Sequence, residues 1–247
     1  MSWAFVQKAN GTVIGESQFF AGFGGNVTAG NFVAFLISIT GDSVTLSLND
    51  GTNTITNAFT VSNGTACTSA LYYIRNHSGG NPTCTIDSGG NLVDWFVEVA
   101  EFSGGNTTSP ASGTPTTNSG LSGTASTGSM TPADNDVLLL ADMATIVGDP
   151  TLTENAGSEG FTLLGENEVT ANGARGSALY KILSGAPGTP SESWTISSSG
   201  EWAAGIAAFK PAAGGGGATI TPPVGSGSVS GITAGPVRGS ILTPQTP

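Results

Sequence analysis

Only one histidine, His77, stands in the 247 residues, and a Ser or Cys nucleophile ordinarily needs such a base beside it. It lies in Arg75-Asn76-His77-Ser78-Gly79-Gly80, a turn-rich stretch that predicts a solvated hairpin tip rather than a catalytic triad. Carboxylates could do chemistry without it, since two across a cleft suffice for glycoside hydrolysis; Asp94, Glu98, Glu101 and Glu201 are the candidates. No spacing selects a pair, and Glu98 and Glu101 fall on opposite faces of a regular strand because side chains alternate. Asn49-Asp50-Gly51-Thr52-Asn53 and Asp134-Asn135-Asp136 offer oxygen atoms of the kind calcium takes, but neither completes an EF-hand pattern. Turn chemistry accounts for both.

Cys67 and Cys84 have no C-x-x-C spacing and no neighbouring His or second Cys pair for zinc. Two buried free thiols are expected; a disulfide would require their strands to be neighbours. Gly22-Phe23-Gly24-Gly25 does not open a helix in a βαβ unit, so it reads as loop or bulge, not as a nucleotide cradle. Trp3, Trp95, Trp194 and Trp202 could stack on a sugar, but their placement in strand-like runs favours core packing. The sequons at Asn10, Asn26, Asn63, Asn76 and Asn106 follow from composition and receive no role. No catalytic, cofactor-binding or metal residue is assigned, and no cofactor is expected.

The elements that would position these residues are strands. Apolar stretches are short, β-branched or aromatic, and bounded by Gly, Asn, Asp, Ser or Pro, which is the strand-and-turn pattern. Strands are predicted over 32–39, 43–48, 70–75, 84–86 and 95–102, then over 137–143, 161–167, 177–183, 193–197 and 202–209. No helix is predicted.

The second set repeats the first. Ser69-Ala70-Leu71-Tyr72-Tyr73-Ile74 matches Ser177-Ala178-Leu179-Tyr180-Lys181-Ile182 with Tyr73 against Lys181 as the one difference. Asn31-Phe32-Val33 answers Asn135-Asp136-Val137, Thr85-Ile86 answers Thr195-Ile196, Asp94-Trp95 answers Glu201-Trp202, and Ala100-Glu101-Phe102 answers Ala207-Ala208-Phe209. Matches kept in order point to an internal duplication. The expected fold is all-β: two related antiparallel β-sandwich, jelly-roll-like halves over 1–103 and 130–210, and an extended C-terminal arm. The Ser/Thr/Gly/Pro-rich connection over 104–129 is either a flexible linker or an extended edge segment.

Residues 211–247 form the arm, too poor in large side chains to build a core of their own. Its candidate contact residues are Pro211, Ile220, Pro222, Pro223, Val229, Ile232, Val237, Ile241 and Leu242; Pro and Gly keep it extended.

Six Lys plus Arg against 17 Asp plus Glu give a formal net charge of −11, which opposes approach to phosphate backbones and anionic lipid. No nucleic acid or membrane partner is expected. No run of about 18 apolar residues is present, and the first residues lack the basic and apolar regions of a secretory signal, so cytoplasmic synthesis is expected.

Thr28-Ala29-Gly30-Asn31-Phe32-Val33, Ala70-Leu71-Tyr72-Tyr73 and Val97-Glu98-Val99-Ala100-Glu101-Phe102-Ser103-Gly104, continued by Gly160-Phe161-Thr162-Leu163-Leu164 and Trp202 to Phe209, resemble a β-sandwich module of tailed-bacteriophage virion proteins. The resemblance covers about residues 5 to 210 and rests on loose sandwich motifs. It implies a non-enzymatic virion component, a capsid decoration or cement protein or another surface subunit. It would be made in the host cytoplasm, with major capsid or tail subunits and copies of itself, as in a trimer, for partners. The competing expectations are a carbohydrate-binding or host-attachment module on an extracellular surface, with host glycans as ligands, and a polysaccharide-cleaving enzyme.

Overall fold

A strand covered on one face alternates apolar and polar residues, whereas one covered on both is apolar throughout. Phe32-Val-Ala-Phe-Leu-Ile-Ser-Ile-Thr40 belongs to the second kind, every residue being buried, and it marks the centre of the fold. A computed structural model describes residues 2–41, 44–146, 152–154, 160–169 and 174–213. The chain divides into two units, Met1–Gly215 and Gly216–Pro247. The second unit, with the predicted arm residues Ile220, Pro222, Pro223, Val229, Ile232, Val237, Ile241 and Leu242, lies outside the described residues.

Among the described residues the structure is all-β, and every paired strand runs antiparallel to its neighbour. The strands are β1 (Ala4–Glu16), β2 (Gln18–Ala21), β3 (Phe32–Thr40), β4 (Ser47–Asn49), β5 (Thr56–Asn63), β6 (Cys67–Ile74), β7 (Cys84–Asp87), β8 (Val93–Ser103), β9 (Thr116–Ser126), β10 (Leu138–Ile146), β11 (Leu152–Glu154), β12 (Thr162–Val169), β13 (Ala174–Ile182) and β14 (Ser193–Phe209). A five-stranded sheet has the order β1-β8-β3-β6-β5, and a three-stranded sheet the order β2-β7-β4. A six-stranded sheet runs β11-β14-β10-β13-β12, with β9 also on β14.

The alternation of β3 separates two cores. Val33, Phe35, Ile37 and Ile39 pack with Phe19 and Ile86 of the three-stranded sheet. Phe32, Ala34 and Leu36 pack with Leu138, Leu140 and Phe209 of the six-stranded sheet. A third cluster lies on the other face of that sheet, where Trp194 and Ile196 meet Leu139, Leu179 and Ile206.

The order β9-β14-β10-β13-β12 repeats β1-β8-β3-β6-β5 strand for strand. The end of β9 and β11 flank the start of β14 as β2 and β4 flank β7. Registers agree as well. Phe32 pairs with Phe102 as Leu138 pairs with Phe209. Thr56 pairs with Tyr73 as Thr162 pairs with Tyr180, and each pair is followed by a register shift, at Ala58 in β5 and at Leu164 in β12.

Several expectations need correction. The match of Ser69–Ile74 to Ser177–Ile182 is out of step with this register by one residue: the paired registers align Tyr73 with Tyr180, not Tyr72 with Tyr180. A one-residue slip in a strand turns every side chain to the other face; thus Leu71 faces the six-stranded sheet, whereas Leu179 faces away from the five-stranded one. Likewise Phe32 corresponds to Leu138 rather than to Asp136. The strands expected over 193–197 and 202–209 are one element, β14, and the one expected over 43–48 is displaced to β4, with Val44 and Leu46 buried beside it. The 104–129 connection needs no correction: of its two readings, the extended edge segment describes residues 116–126, where β9 lies along β14.

Candidate functional site

His77 is not a solvated tip. It is 3% exposed, held by backbone bonds from its N–H to the Asn31 carbonyl and from the Gly30 N–H to its own carbonyl. Its Nδ1 accepts the Gly79 N–H at 2.9 Å. Burial lowers its pKa, against the pull of the Asp50 and Glu101 charges. The imidazole is a buried acceptor that closes the 76–80 turn on itself, while the His77 backbone ties that turn to the loop before β3.

Two of the candidate carboxylates are spent in the same way. Glu101, fully buried, accepts from Gln7 Nε2 at 2.5 Å, the Thr28 N–H at 2.9 Å and Asn31 Nδ2 at 2.6 Å. It pins β1 and the 22–31 loop to β8. Asp94 accepts from the Gly15 N–H and Thr40 Oγ1. Glu201 is exposed beside Leu121 of β9. As alternation predicts, Glu98 and Glu101 point to opposite faces of β8, Glu98 toward the six-stranded sheet.

Asp142, which sequence reasoning missed, is the carboxyl that Glu98 meets. It lies on the face of β10 shared with Leu138 and Leu140, 1% exposed, and accepts from Ser69 Oγ at 2.7 Å and Ser38 Oγ at 3.1 Å. Burial pushes its pKa up to about 7; the two hydroxyls oppose the rise and the Glu98 charge adds to it. A carboxyl titrating there has the proton affinity of a general acid–base. Leu36, Ser38, Phe96, Glu98, Gly165 and Gly176 close around it, leaving no room for a water. The signal in the sequence was a lone acid at the third position of one strand face, Leu138-x-Leu140-x-Asp142.

Cys67 and Cys84 are free and buried, and burial pushes both thiols up to about 12, far from the thiolate a nucleophile requires. Asp50 Oδ1 accepts the Thr52 and Asn53 N–H groups and Oδ2 accepts Asn53 Nδ2, which is a turn. Asp136 Oδ1 accepts the Gly185 N–H at 2.6 Å, and Asp134 lies 3.9 Å from Lys210 Nζ. Among the described residues no three His, Cys, Asp or Glu are grouped to hold a metal. The four tryptophans are buried, and each indole N–H has an internal acceptor: Phe209 O, Glu16 O, Ser177 Oγ and Ser122 Oγ for Trp3, Trp95, Trp194 and Trp202.

The base of the arm is built with comparable care. Lys210 N–H donates to the Pro110 carbonyl at 2.7 Å, Ala212 N–H to the Gly104 carbonyl at 2.7 Å, and Asn106 N–H to the Lys210 carbonyl at 3.2 Å. Pro211, the one predicted arm residue described, bridges Gly105. An open depression of about 500 Å³ lies beside it, lined by Asn106, Asp134, Asp136, Lys210 and Pro211 among others.

Comparison with protein-family models, curated proteins and solved structures finds no match.

Proposed function

We propose that the protein is a non-catalytic structural subunit of a phage virion, a capsid decoration or cement protein, whose C-terminal arm contacts neighbouring subunits. One observation carries the reading. Of the groups that could do chemistry, His77, Asp94, Glu98, Glu101, Asp142 and both cysteines are buried, with Asp94, Glu101 and Asp142 accepting bonds that join strands and loops, and Glu201 alone is exposed. A protein whose reactive groups are consumed as internal fasteners is suited to holding shape. The strapped residues 210–212 then fix the point from which a Gly/Pro-rich segment departs, and such a segment can lay its backbone along a neighbour's sheet edge.

In this reading each half is a small β-sandwich, a large sheet closed by a three-strand flap, and the two descend from one duplicated module. The repeated strand order, the matched register and the equivalent shifts in β5 and β12 support it. So does a reciprocal ring contact: Tyr73 meets Phe209 at 5.1 Å and 67°, while Tyr180 meets Phe102 at 5.4 Å and 62°.

The test is light scattering after size-exclusion chromatography on the full chain and on a chain truncated after Ala213, alone and mixed with capsid or tail particles. Oligomers or particle binding lost on truncation are expected. Monomers in both cases would overturn the assembly role, and glycan binding by both would favour host attachment.

A further inference from the structure

The two halves meet through faces that correspond residue for residue, yet the faces are not alike in bulk. By the paired registers Phe59 corresponds to Gly165, Glu98 to Gly205, Ser69 to Gly176, and Phe96 to Ala203. At each of these positions the half over 4–103 carries the larger side chain. Their contacts are reciprocal. A Cβ on Gly165 would fall inside the Glu98 carboxyl, and one on Gly205 would fall against the Phe59 ring. A Cβ on Gly176 would lie 2.7 Å from Ser38 Cβ and 2.9 Å from Phe96 Cβ.

We propose that this interface is coded by size and polarity so that each half accepts the other and refuses a second copy of itself. The proposal rests on the equivalence of the two halves, not on the virion reading. Pairing the first half with a copy of itself would drive Glu98 into Phe59 twice, and would set Ser69 where even a bare methyl does not fit. Overpacking of this kind is resisted because interiors are close-packed. Pairing the second half with a copy of itself would face Gly165 with Gly205, leaving voids. It would also deprive Asp142 of its donors, because Ser38 and Ser69 correspond to Ala144 and Gly176, which have no hydroxyl. A buried carboxyl without donors is strongly unfavourable. Only the mixed pairing fills the space and satisfies the acid, which is specificity achieved by penalising the alternatives. Copies of the chain are therefore left to associate through other surfaces.

Two measurements on the full chain test this. The first is the urea midpoint of Gly165→Ala, Gly205→Ala and their combinations with Glu98→Ala or Phe59→Ala. Gly165→Ala should lower the midpoint or prevent folding, and Glu98→Ala should restore most of the loss, whereas Phe59→Ala should not. Phe59→Ala should in turn rescue Gly205→Ala. Equal rescue by the non-facing partner would overturn the size code. The second is refolding of wild type and of Glu98→Ala/Phe59→Ala/Ser69→Gly, which removes all three obstructions to self-pairing of the first half, at rising concentration, followed by light scattering. The variant, its obstructions removed, should give additional concentration-dependent species beyond any that wild type forms; the same species from both would overturn the refusal. Because both chains carry the same arm, failure of arm-driven assembly would leave this comparison intact.

Discussion

At the scale of single residues, Asp142 couples stability to pH. An unfolded carboxyl titrates near about 4, while burial holds this one up to about 7. The folded state therefore keeps its proton over a range in which the unfolded state loses it. Asp142's contribution to stability is fully present below the unfolded value and is lost as pH rises through the folded one, with a slope of about 1.4 kcal/mol per pH unit between them. His77 has the opposite sign: its lowered pKa makes the unfolded state the better proton acceptor, which costs stability as pH falls below the ordinary histidine range of about 6.5. Asp142→Asn separates the two. Asp142 should contribute a fall in the wild-type urea midpoint from about pH 4 to 7; the variant should lose that contribution while retaining the loss due to His77 on acidification. An unchanged decline in the variant would assign the effect elsewhere. Neither residue's environment was legible locally. His77 sits among turn formers, and its cover comes from residues 22–31, far along the chain. Asp142 sits in an apolar run whose parity, not its composition, places it on an inter-sheet face.

At the scale of elements, the strands legible in the sequence were those with two buried faces, such as β3, β8 and β10, because continuous apolar runs announce them. Of the edge strands, β12 is anticipated over 161–167 and β9 falls within the segment read as linker or edge, whereas β1, β5 and β11 are not anticipated. In β9, Thr-Thr-Asn-Ser-Gly-Leu-Ser-Gly-Thr-Ala-Ser, Leu121 is 70% exposed and Ala125 is fully buried; its position is dictated by the backbone of β14, which composition does not reveal. β1, with mostly exposed side chains, was missed for the same reason. The residue matches anticipate the repeated strand order, but the register of the correspondence emerges only from the pairing of strands. The strap at the arm's base depends on a different signal. Gly104 has φ +87°, and a Cβ there would collide with the Ser2 carbonyl. Gly104→Ala should cost more than about 1 kcal/mol, combining backbone strain with the collision. Gly24, with φ outside the left-handed region and open space around its Cα, should tolerate Ala within about 0.5 kcal/mol. Thermal melts of the two variants make the comparison, and equal losses would remove the strap from the account of the arm's base.

At the scale of the whole molecule, charge and arm act against each other. The chain carries a formal charge of −11, yet from Pro211 onward its one ionisable side chain is Arg238. Nearly all the repulsion between copies therefore belongs to the body, while the proposed contact belongs to a segment almost without charge. Repulsion between like-charged bodies is long-ranged at low ionic strength, and the Debye length shortens from about 30 Å at 0.01 M to about 8 Å at 0.15 M. An association carried by an uncharged arm should therefore strengthen as salt is raised over that interval, through relief of body–body repulsion. Light scattering of the full chain across the series should show growing mass, and the chain truncated after Ala213 should show none. Association that instead weakens with salt would mean that Arg238 seeks the acidic body of a neighbour. The arm would then act through charge rather than through backbone and apolar contact, and Arg238→Gln would be expected to abolish it.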